Sequence, residues 1–175
     1  MFLFERRRLR HYRSIKWRMP LDWYLFLKTI HIISATVLFG TGMGIAFFMF
    51  CSQFSENIFQ KYYAARFTVL ADYIFTLPAV IIQPISGFLL IYEMGFYIFE
   101  FWLLTTYIIY IVAGLCWLPV VWIQIELKKI LEVSIDTNSA LPERYYKLFR
   151  IWFILGWPAF IGLVVVFFLM VLKPV

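Results

Sequence analysis

Apolar positions along this chain neither alternate nor form narrow stripes. They run almost unbroken through four stretches, residues 24–50, 69–92, 101–124 and 152–172, with short polar connections between them. At about 1.5 Å of rise per residue, each stretch is long enough as a helix to cross a hydrocarbon core of roughly 30 Å. Apolar residues surround most of each stretch, as a lipid-facing helix requires, whereas a helix lying in an interface would carry a full polar face. Short alternating strands, the mark of a membrane barrel, are missing. The pattern predicts an all-α membrane protein with four transmembrane helices in an antiparallel bundle, the first and third running one way and the second and fourth the other. A composition of 63% hydrophobic and 15% charged residues agrees, being too apolar for a water-facing fold of 175 residues. No internal repeat or low-complexity linker divides the chain. Residues 1–18 read as a basic arm, and 19–175 as one membrane domain.

Helical periodicity sorts the few polar residues, because positions three, four, seven and eleven apart share a face. In the first stretch Lys28, His31, Ser34, Ala35, Leu38 and Gly42 fall together, and Thr36, Gly40 and Gly44 form a small-xxx-small series on the opposite side, where another helix can come close. "GTGMG" is a poor phosphate cradle, since no strand precedes it and no helix N-terminus follows. The second stretch aligns Asp72, Thr76, Ala79, Gln83, Ser86 and Gly87, and the third aligns Thr106, Tyr110, Ala113, Trp117 and Gln124. Polar groups in a membrane segment belong against protein rather than lipid. Pro78, Pro84, Pro119 and Pro158 each remove a backbone donor and predict kinks in the last three helices.

Depth narrows the choice further. His31 lies about 10 Å inward from Tyr24, Ser86 and Gln83 roughly 9 and 13 Å inward from Tyr92, and Thr106 and Tyr110 roughly 7 and 13 Å inward from Phe101, all from the same surface. They form one polar layer, for which mutual hydrogen bonding is the minimum explanation. Asp72, Thr76 and Gln124 belong near the other surface, where Arg66 or Arg150 could neutralise the carboxylate.

Charge governs orientation. Residues 6–18 carry seven basic side chains, which by the positive-inside rule would hold the N-terminus in the cytoplasm. The connections 51–68 and 125–151 carry seven as well, and 93–100 carries none. With translation starting at Met19 the balance favours outside termini and cytoplasmic basic loops, and that is the expected topology, in a bacterial cytoplasmic (inner) membrane. So close to a span the arm suits anionic lipid rather than nucleic acid. Trp23, Tyr24, Tyr92, Trp102, Trp122 and Trp152 sit near predicted helix ends, as an aromatic belt would. Cys51 and Cys116 show no metal or redox spacing and read as free structural thiols. The first helix is too long for a cleaved secretory signal.

The segments "LKTIHIISATVLFG", "LPAVIIQPISGFLL", "AGLCWLPVVWIQIEL" and the closing "LPERYYKLFRIWFILGWPAFIGLVVVFFLMVLKP", in that order, resemble the bacterial integral-membrane family known as domain of unknown function 2269. That resemblance covers nearly everything from Asp22 onward and implies no activity. The K-x-x-H placement of Lys28 and His31 also resembles the first helix of HemJ-type membrane protoporphyrinogen oxidases, associated with haem b, and of copper-resistance D proteins. It implies His31 as a metal ligand to haem, and the shared depth then puts Gln83 and Tyr110, with Lys28, around His31 in a candidate haem or quinone site. The arginines expected after the first helix of HemJ-type proteins are missing from "GIAFFMFCS", and His11 lies in the arm, so His31 is the one imidazole of the membrane region. Three classes stand: a redox-linked membrane protein, a non-catalytic partner or assembly subunit of a membrane complex or homo-oligomer, and a small-molecule permease. The apolar "FIGLVVVFFL" of the last helix argues against the third.

Overall fold

The computed structural model describes residues 21–174, and the basic arm lies outside them. Five helices follow: α1 (Leu21–Cys51), α2 (Ile58–Ala71), α3 (Leu77–Met94), α4 (Phe101–Asp136) and α5 (Glu143–Leu172). A π-helical turn, Asp72–Thr76, fuses α2 to α3, so the described residues form four helical rods long and apolar enough to cross a membrane. The rods run antiparallel. Tyr24 Oη reaches Met94 Sδ at one end, and Gln53 meets Tyr145 at the other.

Each reversal has a local cause. Gly95 adopts the left-handed conformation (φ 68°) that closes α3, a backbone state glycine enters without steric cost. Asn57 caps α2 by accepting from the Phe59 backbone N–H at 2.9 Å. The π turn lies directly before Pro78, and the Leu77 N–H bonds to the Asp72 carbonyl, five residues back. Proline cannot donate, and widening the preceding turn is one way a helix adapts. Pro84, Pro119 and Pro158 lie inside continuous helices.

The rods outrun the predicted spans. At about 1.5 Å per residue α4 extends roughly 54 Å, well beyond a hydrocarbon core. The basic residues expected in loops therefore stand on helices: Lys61 and Arg66 on α2, Lys128 and Lys129 on α4, Arg144, Lys147 and Arg150 on α5. Outside lipid these helix ends gain side-chain partners. Glu126 pairs with Lys129 at 3.1 Å and Arg144 at 3.2 Å, and Tyr62 donates to Glu132 at 3.0 Å. Here too lies the larger apolar core, where Met49, Ala65, Leu127, Leu131 and Tyr145 are fully buried.

A smaller cluster, Ile91, Trp102 and Leu103, closes the opposite end. Lys173 Nζ sits there over the Phe96 and Trp102 rings, at 4.7 and 5.7 Å. Two members of the expected aromatic belt are thus core residues: Trp102 and Trp152 are buried, and Trp102 donates to Glu100 at 2.6 Å. Trp23, Tyr92 and Trp122 stay exposed. Between the clusters the rods present most of their apolar surface outward, as a lipid solvent allows.

The glycine series differs from expectation. A methyl group built on Gly40 or Gly44 would meet nothing within 4 Å, so no other described helix uses that face. Close approach occurs instead at Gly87, against His31, and at Gly162, where a Cβ would lie 2.9 Å from Ile109 Cγ2.

Candidate functional site

The polar face of α1 meets α3 along one turn. His31 Nδ1 lies 2.8 Å from Ser86 Oγ, and that hydroxyl is also 2.7 Å from the Ile82 carbonyl. A serine hydroxyl carries one proton, and a carbonyl oxygen only accepts. With Ser86 donating to Ile82, its shorter carbonyl contact, the ring N–H is assigned to Nδ1, donating to Ser86. The Nε2 lone pair is left as the free ring position. Gly87 packs against the ring: a Cβ there would approach His31 Cε1 to 3.3 Å, tight enough that the imidazole would have to shift by a few tenths of an ångström.

Gln83 straps the same turn. Its Nε2 donates to the His31 carbonyl at 2.8 Å and to Ser34 Oγ at 2.7 Å, spending both amide protons on α1. Ser34 is buried and was placed on the His31 face by periodicity, but its share in this network has no sequence signal of its own.

Of the four residues grouped by sequence, the structure brings His31 and Gln83 together and separates the other two. Tyr110 donates its hydroxyl to the Val80 carbonyl at 2.6 Å, tying α4 to α3 one helical turn from Gln83. Lys28 is exposed, with Nζ 5.8 Å from the centroid of the Tyr24 ring. Among the described residues no group of three or more His, Cys, Asp and Glu side chains could hold a metal ion, so His31 belongs to no three-ligand cluster of these types. Both cysteines are free thiols, Cys51 exposed and Cys116 half-buried.

A second polar layer lies deeper along the fused rod. Asp72 and Thr76, the first and last residues of the π turn, are buried, as is Gln124 of α4. The side chains of Thr76, Trp117 and Gln124 face the Asp72 carboxyl but make no hydrogen bond of acceptable geometry with it. The expected neutralisation by arginine does not occur. The ion pairs of the described residues are Lys129–Glu126, Arg144–Glu126 and Lys147–Glu143. Arg66 turns outward over the Phe67 ring, its guanidinium 5.9 Å from the centroid, and Arg150 is exposed. Both arginines gain more by keeping their heads in water than by following the carboxylate into the rod.

Four long apolar rods with polar side chains turned toward one another define an all-α integral membrane protein. Residues 25–174 match the family described as "Predicted integral membrane protein (DUF2269)", and the chain belongs to that family. Comparison with curated proteins and with solved structures gave no match.

Proposed function

We propose that the protein is a redox-linked component of a bacterial cytoplasmic membrane, in which His31 would be the residue that holds haem b. The observation that carries this reading is the 2.8 Å contact between His31 Nδ1 and Ser86 Oγ: with Ser86 donating to Ile82, it assigns the ring proton to Nδ1 and leaves Nε2 unprotonated, the state in which imidazole binds metals. Ligating histidines are commonly held in this way by a hydrogen bond at the other ring nitrogen. Gln83, through the α1 backbone, and Ser86, at the ring itself, set the height and rotation of the imidazole, and Tyr110 fixes α4 against α3. None of these three is a ligand. When bound, haem would supply one-electron chemistry.

An absorption spectrum of detergent-purified protein from haem-replete cells tests the reading. A Soret band that disappears in His31→Ala, with membrane insertion unchanged, is the expected result. A colourless wild-type protein, or a mutant that keeps the band, rejects it.

A non-catalytic partner subunit is the second reading, favoured by the open glycine face at Gly40 and Gly44. It predicts a colourless protein that co-purifies with another membrane protein, and loss of that association when Gly40 is replaced by leucine.

A further inference from the structure

The Asp72 layer holds four buried polar atoms without partners: Asp72 Oδ2, Thr76 Oγ1, Trp117 Nε1 and Gln124 Oε1. Asp72 is 3% exposed, Thr76 4% and Gln124 2%, and these side chains come from two separate rods. An unpaired carboxylate here is opposed by a desolvation cost of several kcal/mol. Water could satisfy hydrogen bonds but not the charge, so the layer needs one positive charge.

The surroundings do not supply it. Residues 38–49 of α1 and 151–168 of α5 contain no titratable side chain, and on α4 between 111 and 124 the only one is Cys116. On α2, Lys61 and Arg66 precede Asp72 by eleven and six residues, about 16 and 9 Å along the helix. Neither lies within ion-pair distance of a carboxylate.

Hydrogen-bond parity then separates the candidates. A metal cation would need several oxygen ligands, commonly six or more for the divalent ions, and would be repelled by the Trp117 N–H that faces the same carboxyl. A proton answers the layer atom by atom. It turns Asp72 Oδ2 into a donor, and Gln124, whose Oε1 is buried in the same layer without a partner, offers the acceptor when its amide is turned to present the oxygen. Thr76 O–H and Trp117 N–H, both donors, are left to the remaining carboxyl lone pairs.

We propose that Asp72 is a proton-binding site of the membrane domain, kept as the carboxylic acid by burial without a cationic partner, with Gln124, Thr76 and Trp117 around the carboxyl. Release breaks the Asp72 O–H bond and passes the proton to water at the Arg66 end of the rod; no electron moves. The π turn carries both Asp72 and Thr76, and such turns recur at functional positions in helices. This site is independent of the His31 reading and uses none of its residues.

Infrared difference spectroscopy of the purified full-length protein tests it, comparing wild type with Asp72→Asn at neutral pH. A carboxylic-acid C=O band present in wild type and lost in Asp72→Asn is expected, moving to higher frequency in Gln124→Leu as its hydrogen bond disappears. The band should be the same in sodium and choline salts. Asp72→Asn should fold with an unchanged thermal midpoint, because asparagine is neutral and can still donate to Gln124. The absence of an Asp72 acid band, its abolition by sodium, or an Asp72→Asn variant that does not fold would each overturn the proposal.

Discussion

His31 shows how one side chain's chemistry is set by its neighbours' hydrogen-bond needs. Ser86 has a single proton, and donating it to Ile82 assigns the imidazole N–H to Nδ1. Removing that acceptor in Ser86→Ala frees the ring to change tautomer. If haem is bound, the Soret band should weaken or shift while insertion is retained. Gln83→Leu is predicted to cost about 1 kcal/mol, the scale of an interhelical hydrogen bond in membrane proteins, read as a lower midpoint of thermal unfolding in detergent. Gly162 offers a purely steric counterpart. A methyl group 2.9 Å from Ile109 Cγ2 overlaps a branched side chain on the facing helix. Gly162→Ala should destabilise by about 1–3 kcal/mol. Ile109→Ala, which removes that methyl, should cancel part of the loss in the double mutant, and simple additivity of the two effects would show that the contact does not matter.

At the scale of elements, the sequence carried the facing of the helices but not their length. The stripes through Ser34 and Leu38, through Asp72, Thr76, Ala79 and Ser86, and through Thr106, Ala113 and Gln124 are buried, because apolar and polar positions in a membrane still obey the helical period. Depth arithmetic placed His31 level with Ser86 for the same reason. What periodicity cannot carry is side-chain direction or a partner's identity: nothing in the spacing of Tyr110 selects the Val80 carbonyl, and nothing near Asp72 tells that Arg66 turns outward. Helix length was missed because hydropathy marks where lipid ends, not where helix ends. Beyond the lipid, α2, α4 and α5 continue on buried contacts such as Tyr145, whose hydroxyl exchanges hydrogen bonds with Gln53 at 2.9 and 3.1 Å. Tyr145→Phe should therefore lower stability by about 1 kcal/mol. Glu126→Gln, which loses two ion pairs to largely exposed cations, should cost less than that, and the cost should shrink further in high salt.

For the whole molecule, the open question of consequence is which end faces the cytoplasm, because it decides the compartment with which Asp72 exchanges and the side near which His31 lies. The structure gathers the cationic helix extensions of α2, α4 and α5 at one end and leaves the 95–100 connection, without Lys or Arg, at the other. By the positive-inside rule the first end is cytoplasmic, provided the arm at 1–18 does not dominate insertion. Two exposed turn positions report on the two ends: Asn138, in the left-handed conformation (φ 51°) between α4 and α5, and Tyr97, between α3 and α4. Cys51 is exposed at the Asn138 end and must first be replaced, together with Cys116, so that each probe reports alone. In that background Asn138→Cys should resist an impermeant thiol reagent in intact cells and react after permeabilisation, whereas Tyr97→Cys should react from outside. The opposite labelling would invert the topology, put the Asp72 layer nearer the outer surface, and show that the seven cations of the helix extensions do not set the orientation.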